Sequence, residues 1–309
     1  MKILIELPTW LGDAAMTTPA IENILKHFNG AEISLVGSFA STELLRHHPQ
    51  VTEVNILDKK YLSLLSLAKS LGKFDNFFSF RGSIRSKIFK LFVSSNHKYQ
   101  FNKNIYKNLH QVDKYNNFIN DSLKVNFKPG KLLISHAIKL SIKKTTPIVG
   151  INPGATYGDA KRWYPEKFAE VAIGLSDEFE ILIFGGPGEV DIARDIEKYL
   201  IAKNVLNYKN LSGKTSISEL VEHISKLDLF ITGDSGPMHI AASFEIPTIS
   251  IFGPTRDEET SQWKNKKSKI VKKNLPCQPC MQRKCPLVHH NCMKMIDAKD
   301  IISLIETIN

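Results

Sequence analysis

Apolar positions along this chain fall into short runs of four or five, separated by stretches in which they recur every three or four residues. Ile3–Leu7 is apolar but for Glu6 and is ended by Pro8, the pattern of a strand buried on both faces. Ile21, Ile24, Leu25 and Phe28 keep helical spacing, which predicts a helix over Pro19–Phe28, entered at Thr18 or as early as Asp13. Strands at Ile33–Val36, Val54–Leu57 and Asn76–Phe80 alternate with helices at Ser41–Arg46, Tyr61–Leu71 and Ile84–Phe92. Lys98–Lys128, rich in Asn and Lys, has weak periodicity and is given no element.

The pattern restarts near Lys143–Pro147. Strands are predicted at Ile148–Asn152, Ile181–Phe184, Leu229–Thr232 and Thr248–Phe252. Helices are predicted at Pro165–Leu175, Asp191–Ala202, Ile217–Leu227, Met238–Phe244 and Ala298–Ile308. Such alternation means βαβ units and parallel sheets. The class is therefore α/β, with two doubly wound domains, 1–146 and 147–296, facing a central cleft. The last segment, 297–309, is expected to be a helix that packs back on the first domain. Ligands in such domains sit outside the carboxyl ends of the strands.

Composition narrows the class further. The chain has 309 residues, 42% hydrophobic and 23% charged, which excludes disordered and collagen-like readings. No apolar stretch approaches the roughly 18–20 residues of a membrane span, and Glu6 interrupts the first run too soon for a signal peptide. A cytoplasmic protein is expected. All four cysteines lie between Cys277 and Cys292, too few for a disulfide scaffold. Their spacing, Cys277-x₂-Cys280-x₄-Cys285-x₆-Cys292, supplies the thiols a structural metal needs but lacks the second C-x-x-C of a zinc ribbon. Reduced packing cysteines are the favoured reading.

The net charge of +10 is concentrated: between Lys59 and Lys131 fifteen cations face three acids, so this window alone carries +12. An anionic partner on one side is one cause, and lysine-rich composition is the other. Interleaved aromatic and glycine motifs are missing from the window, so nucleic acid is not the expected partner. Ser212-Gly213-Lys214-Thr215 lacks the upstream glycine of a P-loop, since Tyr208 stands there. Gly185-Gly186-Pro187-Gly188 fits no dinucleotide fingerprint, and there is neither H-E-x-x-H nor D-x-D.

Chemistry concentrates at strand ends. Gly233-Asp234-Ser235-Gly236-Pro237-Met238-His239 joins a strand to a helix, whose first turn offers amide donors and a positive dipole end to a phosphate. Ser235 can donate to the same anion, and His239 sits one turn further in; a plain helix cap by Asp234 or Ser235 is the competing reading. After the first strand of the same domain, Thr156 offers a hydroxyl and Lys161 a cation where a diphosphate would lie. Glu189 follows another strand end and suits ribose hydroxyls or simple solvation. In the first domain Asp13 follows the first strand, as helix cap or as general base. Arg81 and Arg85, at i, i+4 spacing if Gly82 opens a helix, would grip an acidic acceptor together or serve as surface cations.

Leu11-Gly12-Asp13…Thr17-Thr18-Pro19, Pro153-Gly154-Ala155…Ala160-Lys161-Arg162-Trp163, Gly233–Ala242 and Phe252-Gly253-Pro254-Thr255 together resemble the ADP-heptose:lipopolysaccharide heptosyltransferases, glycosyltransferase family 9. The likeness spans nearly the whole chain, in order. The tail from Cys277 to Met293 resembles members that add the second heptose. The resemblance implies a GT-B fold and inverting, metal-independent transfer of heptose from ADP-heptose to a heptose of the inner core. Asp13 matches the family's proposed base. Thr156, Lys161, Asp234, Ser235, Gly236 and His239 match nucleotide-sugar contacts, and Glu189 is a looser match. Tyr157 stands where relatives carry other residues, among the donor-binding positions. Arg81 and Arg85 are assigned to the acceptor by position. No cofactor is expected. The partners implied are ADP-heptose and a membrane-borne lipid A–core acceptor, with peripheral contact at the anionic cytoplasmic face of the inner membrane. A sister enzyme adding the first heptose to Kdo, and a non-catalytic nucleotide- or glycan-binding protein, are the alternatives.

Overall fold

The computed structural model describes residues 1–58, 60–136 and 146–308, and the chain divides into two compact units, Met1–Ala137 and Ile138–Asn309. The restart expected at Lys143–Pro147 falls mostly on residues 137–145, which lie outside the described residues.

The first unit runs β1 (Lys2–Glu6), α1 (Leu11–His27), β2 (Glu32–Gly37), α2 (Phe39–Leu45), β3 (Val51–Ile56), α3 (Tyr61–Ser70), β4 (Lys73–Ser79), α4 (Ile84–Phe92), β5 (Ser94–Gln100) and α5 (Gln111–Leu123). Its strands form one parallel sheet in the order β3-β2-β1-β4-β5. Leu4, Val36 and Phe77 meet Leu64, Ala68 and Phe89 of α3 and α4 on one face. Elsewhere in the unit Phe80 packs edge-on against Tyr115 and Phe118 of α5, with ring centroids 5.3 and 5.6 Å apart.

Two expectations are corrected here. The first helix begins at Leu11, so Pro19 lies inside it and does not open it. Proline leaves the carbonyl of residue i−4 without its amide partner, and the Thr18 hydroxyl fills that vacancy by donating to the Ala15 carbonyl at 2.8 Å. The stretch from Lys98 to Lys128, given no element, holds α5 and the end of β5. Val112, Tyr115, Phe118 and Ile119 are the buried stripe of α5, and polar residues between them dilute the signal.

The second unit runs β6 (Ile148–Asn152), α6 (Pro165–Leu175), β7 (Glu180–Ile183), α7 (Val190–Ala202), β8 (Tyr208–Asn210), α8 (Ile217–Ser225), β9 (Leu229–Gly233), α9 (Gly236–Ser243), β10 (Thr248–Ile251), α10 (Asp257–Thr260), β11 (Ser268–Val271), α11 (Asn291–Lys294) and α12 (Ala298–Ile305). The sheet order is β11-β10-β9-β6-β7-β8, again parallel throughout. Val149, Ile151, Ile231, Ile249 and Ile251 supply the strand side of its core. Ile301 of α12 is fully buried in that same core, which corrects the expectation that the last helix would serve the first domain. Among the described residues no helix is long and apolar enough to cross a membrane.

In each sheet the chain leaves the central strand in one direction and later returns to build the other half. The reversal lies between β1 and β4 in the first unit and between β6 and β9 in the second. Loops diverge at such a switch point and open a crevice at the carboxyl ends of the strands.

Candidate functional site

The switch point of the second unit is lined by Asn152 and Thr232, which lie opposite one another in the β6–β9 register. The Asn152 amide donates to the hydroxyls of Ser235 at 3.1 Å and Thr232 at 3.3 Å, and those two hydroxyls are 3.0 Å apart. Ser235 is thereby committed to the sheet and makes no cap bond to α9. The plain-cap reading therefore fails at Ser235, and the first turn of α9 keeps amide donors for an anion.

Asp234 does not cap the helix by default either. Its Oδ2 pairs with Lys161 Nζ at 2.6 Å and accepts the Thr255 hydroxyl at 2.6 Å. The pair is largely buried, with the Lys161 side chain 12% exposed. Lys161 is thus held beside the start of α9, a cation where a diphosphate would need one. Gly154 brings the loop after β6 against Glu189: a Cβ there would lie 2.0 Å from the Glu189 carboxylate carbon, so only glycine fits. The same carboxylate accepts from the Gly186 amide at 2.7 Å. Thr156 is exposed on this loop. Gly236 opens α9, while His239 is buried 3% exposed within it, away from the solvent side where an anion would enter.

Tyr157 is placed by contacts outside the motif. Its hydroxyl donates to the Met281 carbonyl at 2.9 Å, and its ring lies 5.3 Å from Lys161 Nζ and 5.2 Å from the Arg283 guanidinium. The Ala160 amide donates to the Arg283 carbonyl at 3.1 Å, and His290 Nε2 lies 2.9 Å from the Ala160 carbonyl. The segment bearing the cysteines therefore braces the donor loop. Burial first, then the nearby Cys285, Cys277 and Cys280, pushes the Cys292 thiol up to about 11.

In the first unit Asp13 lies half-buried in the first turn of α1, where the helix dipole is complementary to a carboxylate. Burial raises the Tyr115 phenol well above its ordinary value, and the charge of Asp13 raises it further. The arginines depart from expectation. Ser83 caps α4 by accepting from the Ser86 amide at 3.2 Å, so the helix begins at Ile84 and Arg81 precedes it. The i, i+4 pair on one helix does not form. Arg85 instead donates to the Asp58 carbonyl. Arg81 approaches Glu6 at 3.8 Å.

Glu6 is the residue that sequence reasoning missed. It ends β1 only 1% exposed and accepts from the hydroxyls of Ser79, at 2.6 Å, and Ser86. Burial raises its pKa against the opposing pull of those hydroxyls and both arginines. The signal was present: an acid interrupting a buried strand must find partners. Asn152, Thr232 and Thr255 were missed for a related reason, being ordinary polar residues until the sheet aligns them.

Comparison with known proteins decides the family. Residues 78–290 match the model of glycosyltransferase family 9 (heptosyltransferase). The chain belongs to that family. Two lipooligosaccharide heptosyltransferase 2 sequences from Campylobacter jejuni, serotypes O:2 and O:6, are each 44% identical to this heptosyltransferase. The first alignment covers 98% of this chain and 96% of the relative, the second 100% and 99%. The structure of ADP-heptose LPS heptosyltransferase II from Escherichia coli superposes with a TM-score of 0.82 at 21% identity, covering 100% of this chain and 98% of that one. The fold is accordingly GT-B, built from two parallel-sheet α/β domains.

Proposed function

We propose that this glycosyltransferase moves L-glycero-D-manno-heptose from ADP-heptose to a heptose of the lipopolysaccharide or lipooligosaccharide inner core, with inversion at the anomeric carbon. The substrate assignment follows the relatives named heptosyltransferase 2. The observation that carries the donor side is the strand-to-helix turn of the second unit. There Lys161 is held by Asp234 beside a helix start that Ser235 leaves uncapped.

In this mechanism Asp13 takes the proton of the acceptor hydroxyl as its oxygen attacks the anomeric carbon. The bond from that carbon to the β-phosphate oxygen breaks, and its electron pair leaves with ADP. Lys161, Thr156 and the α9 amides stabilise the charge that develops there. Glu189 suits the ribose hydroxyls. Arg81 suits an acidic group of the acceptor. The +12 window falls wholly within the first unit, which fits an acceptor rich in carboxylates and phosphates.

A membrane-borne acceptor brings the enzyme to an anionic surface. Ile84 and Leu91 share one face of α4 and are 75% and 74% exposed, with Lys87 between them. Sedimentation with anionic vesicles should capture the protein and rising salt should release it; equal capture by neutral vesicles would contradict a basic docking face.

The test of function is ADP release. It should require ADP-heptose and a core acceptor that already carries one heptose. Release with an acceptor ending in Kdo would instead assign the first-heptose reaction, and tight ADP binding without turnover on any acceptor would overturn the enzymatic reading.

A further inference from the structure

Residues 272–290 form no helix or strand, yet they brace the donor loop. Structureless segments of this length are uncommon inside a compact domain unless something fixes them. Three non-glycine residues here, Met281, Val288 and His290, hold left-handed backbone with φ of 57°, 62° and 52°. Such conformations persist only where the surroundings over-determine them. Apolar packing does not do so, for Val288 is 87% and Leu287 56% exposed.

What the segment does bring together is sulfur. Cys277, Cys280, Cys285 and Cys292 all border one cavity of about 20 Å³, room for a single small ion. None is in a disulfide, and only Cys292 is buried, whereas cysteines kept for packing would be expected inside. His290 is spoken for by Ala160 and Tyr164, so the thiols are the available donors.

We propose that these four cysteines bind one thiolate-preferring divalent ion of the zinc class, and that this ion fixes the segment supporting the donor loop. Four thiolates in a tetrahedral set are the preferred structural site for such an ion. Among the described residues no three metal-binding side chains already surround a common point, so uptake includes turning the thiols inward. Each thiol releases its proton to solvent on binding. Arg283 and Lys284 flank the resulting net negative cage in sequence. The ion has no part in the transfer chemistry; it acts through Met281 and Arg283, which hold Tyr157 and Ala160.

Elemental analysis of the full-length protein, purified under reducing conditions without chelator, should give about one ion per chain. A mercurial reagent should release that ion in step with modification of four thiols, read with a metallochromic dye. Cobalt taken up in its place should show the visible absorption of tetrahedral thiolate coordination. The variant Cys277→Ser/Cys280→Ser should lose the ion, while His289→Ala keeps it. Removing the ion should raise the KM for ADP-heptose several-fold and leave the acceptor KM in place. The proposal does not depend on that variant folding, because metal content and thiol release are read on the native chain. It is overturned by absence of a stoichiometric ion after incubation with zinc, by four thiols that react freely whatever the metal supplied, or by an iron–sulfur chromophore.

Discussion

At the switch point of the first unit the sheet ends in a buried carboxylate, Glu6, flanked by Arg81 and backed by two serine hydroxyls. At that of the second it ends in neutral groups, Asn152 and Thr232, with a lysine–aspartate pair beside a helix start. The two sheets share their topology, so topology cannot account for the contrast. The difference is in which charges are spent internally. In the first unit a strand carboxylate orients a cation near the crevice. In the second, the charge offered to a ligand comes from Lys161 and from backbone dipoles, which need no desolvated counter-ion. One unit is arranged around a proton and an acidic partner, the other around a diphosphate.

That contrast can be broken in order of effect. Asp13→Asn keeps shape and deletes the base, so kcat should fall by about 10²–10⁴ with ADP binding unchanged in calorimetry. A variant with more than about a tenth of wild-type turnover, on the same scale, would count Asp13 out as base.

Lys161→Ala should raise the ADP-heptose KM about 10- to 100-fold, the worth of a charge-assisted contact. It should also cost about 2–3 kcal/mol of stability by leaving Asp234 unpaired. Adding Asp234→Asn should recover the stability and not the KM. Recovery of both in denaturant melts and kinetics would make Lys161 a structural cation.

Arg81→Ala should raise the acceptor KM roughly 3- to 10-fold, consistent with a partly exposed contact, and flatten its salt dependence. If it moves the donor KM instead, the division of labour between the units is wrong.

Glu6→Gln tests the buried carboxylate through pH. The folded pKa is raised, so the stability Glu6 contributes is complete below about 4.5 and is lost as pH climbs through the raised value. The Tm of wild type minus that of Glu6→Gln should therefore fall as pH rises across that window. A flat difference would show that Glu6 does not titrate with folding.

The smallest expected effect is none. Brief EDTA treatment should leave turnover intact without added Mg²⁺ or Mn²⁺, since Lys161 and the α9 dipole already face the leaving group. Loss restored by Mg²⁺, with folding unchanged by circular dichroism, would point to a catalytic metal.

What the sequence determined by itself was whatever depends on neighbours along the chain. Strand and helix alternation, the β6, α6 and α4 bounds and the donor turn at 233–239 were legible because their periods and turn residues are local. Edge strands β5 and β8 escaped because exposed edges carry polar residues such as Ser94-Ser95-Asn96 and Lys209-Asn210. The tertiary structure alone decided where long side chains end. It sent Arg85 to Asp58, set Glu6 against Ser79 and Ser86, placed Pro19 within a helix, and gathered four cysteines at one cavity. Each of those outcomes turns on partners that only packing brings within a few ångströms, where desolvation makes an unpaired polar group too costly to leave.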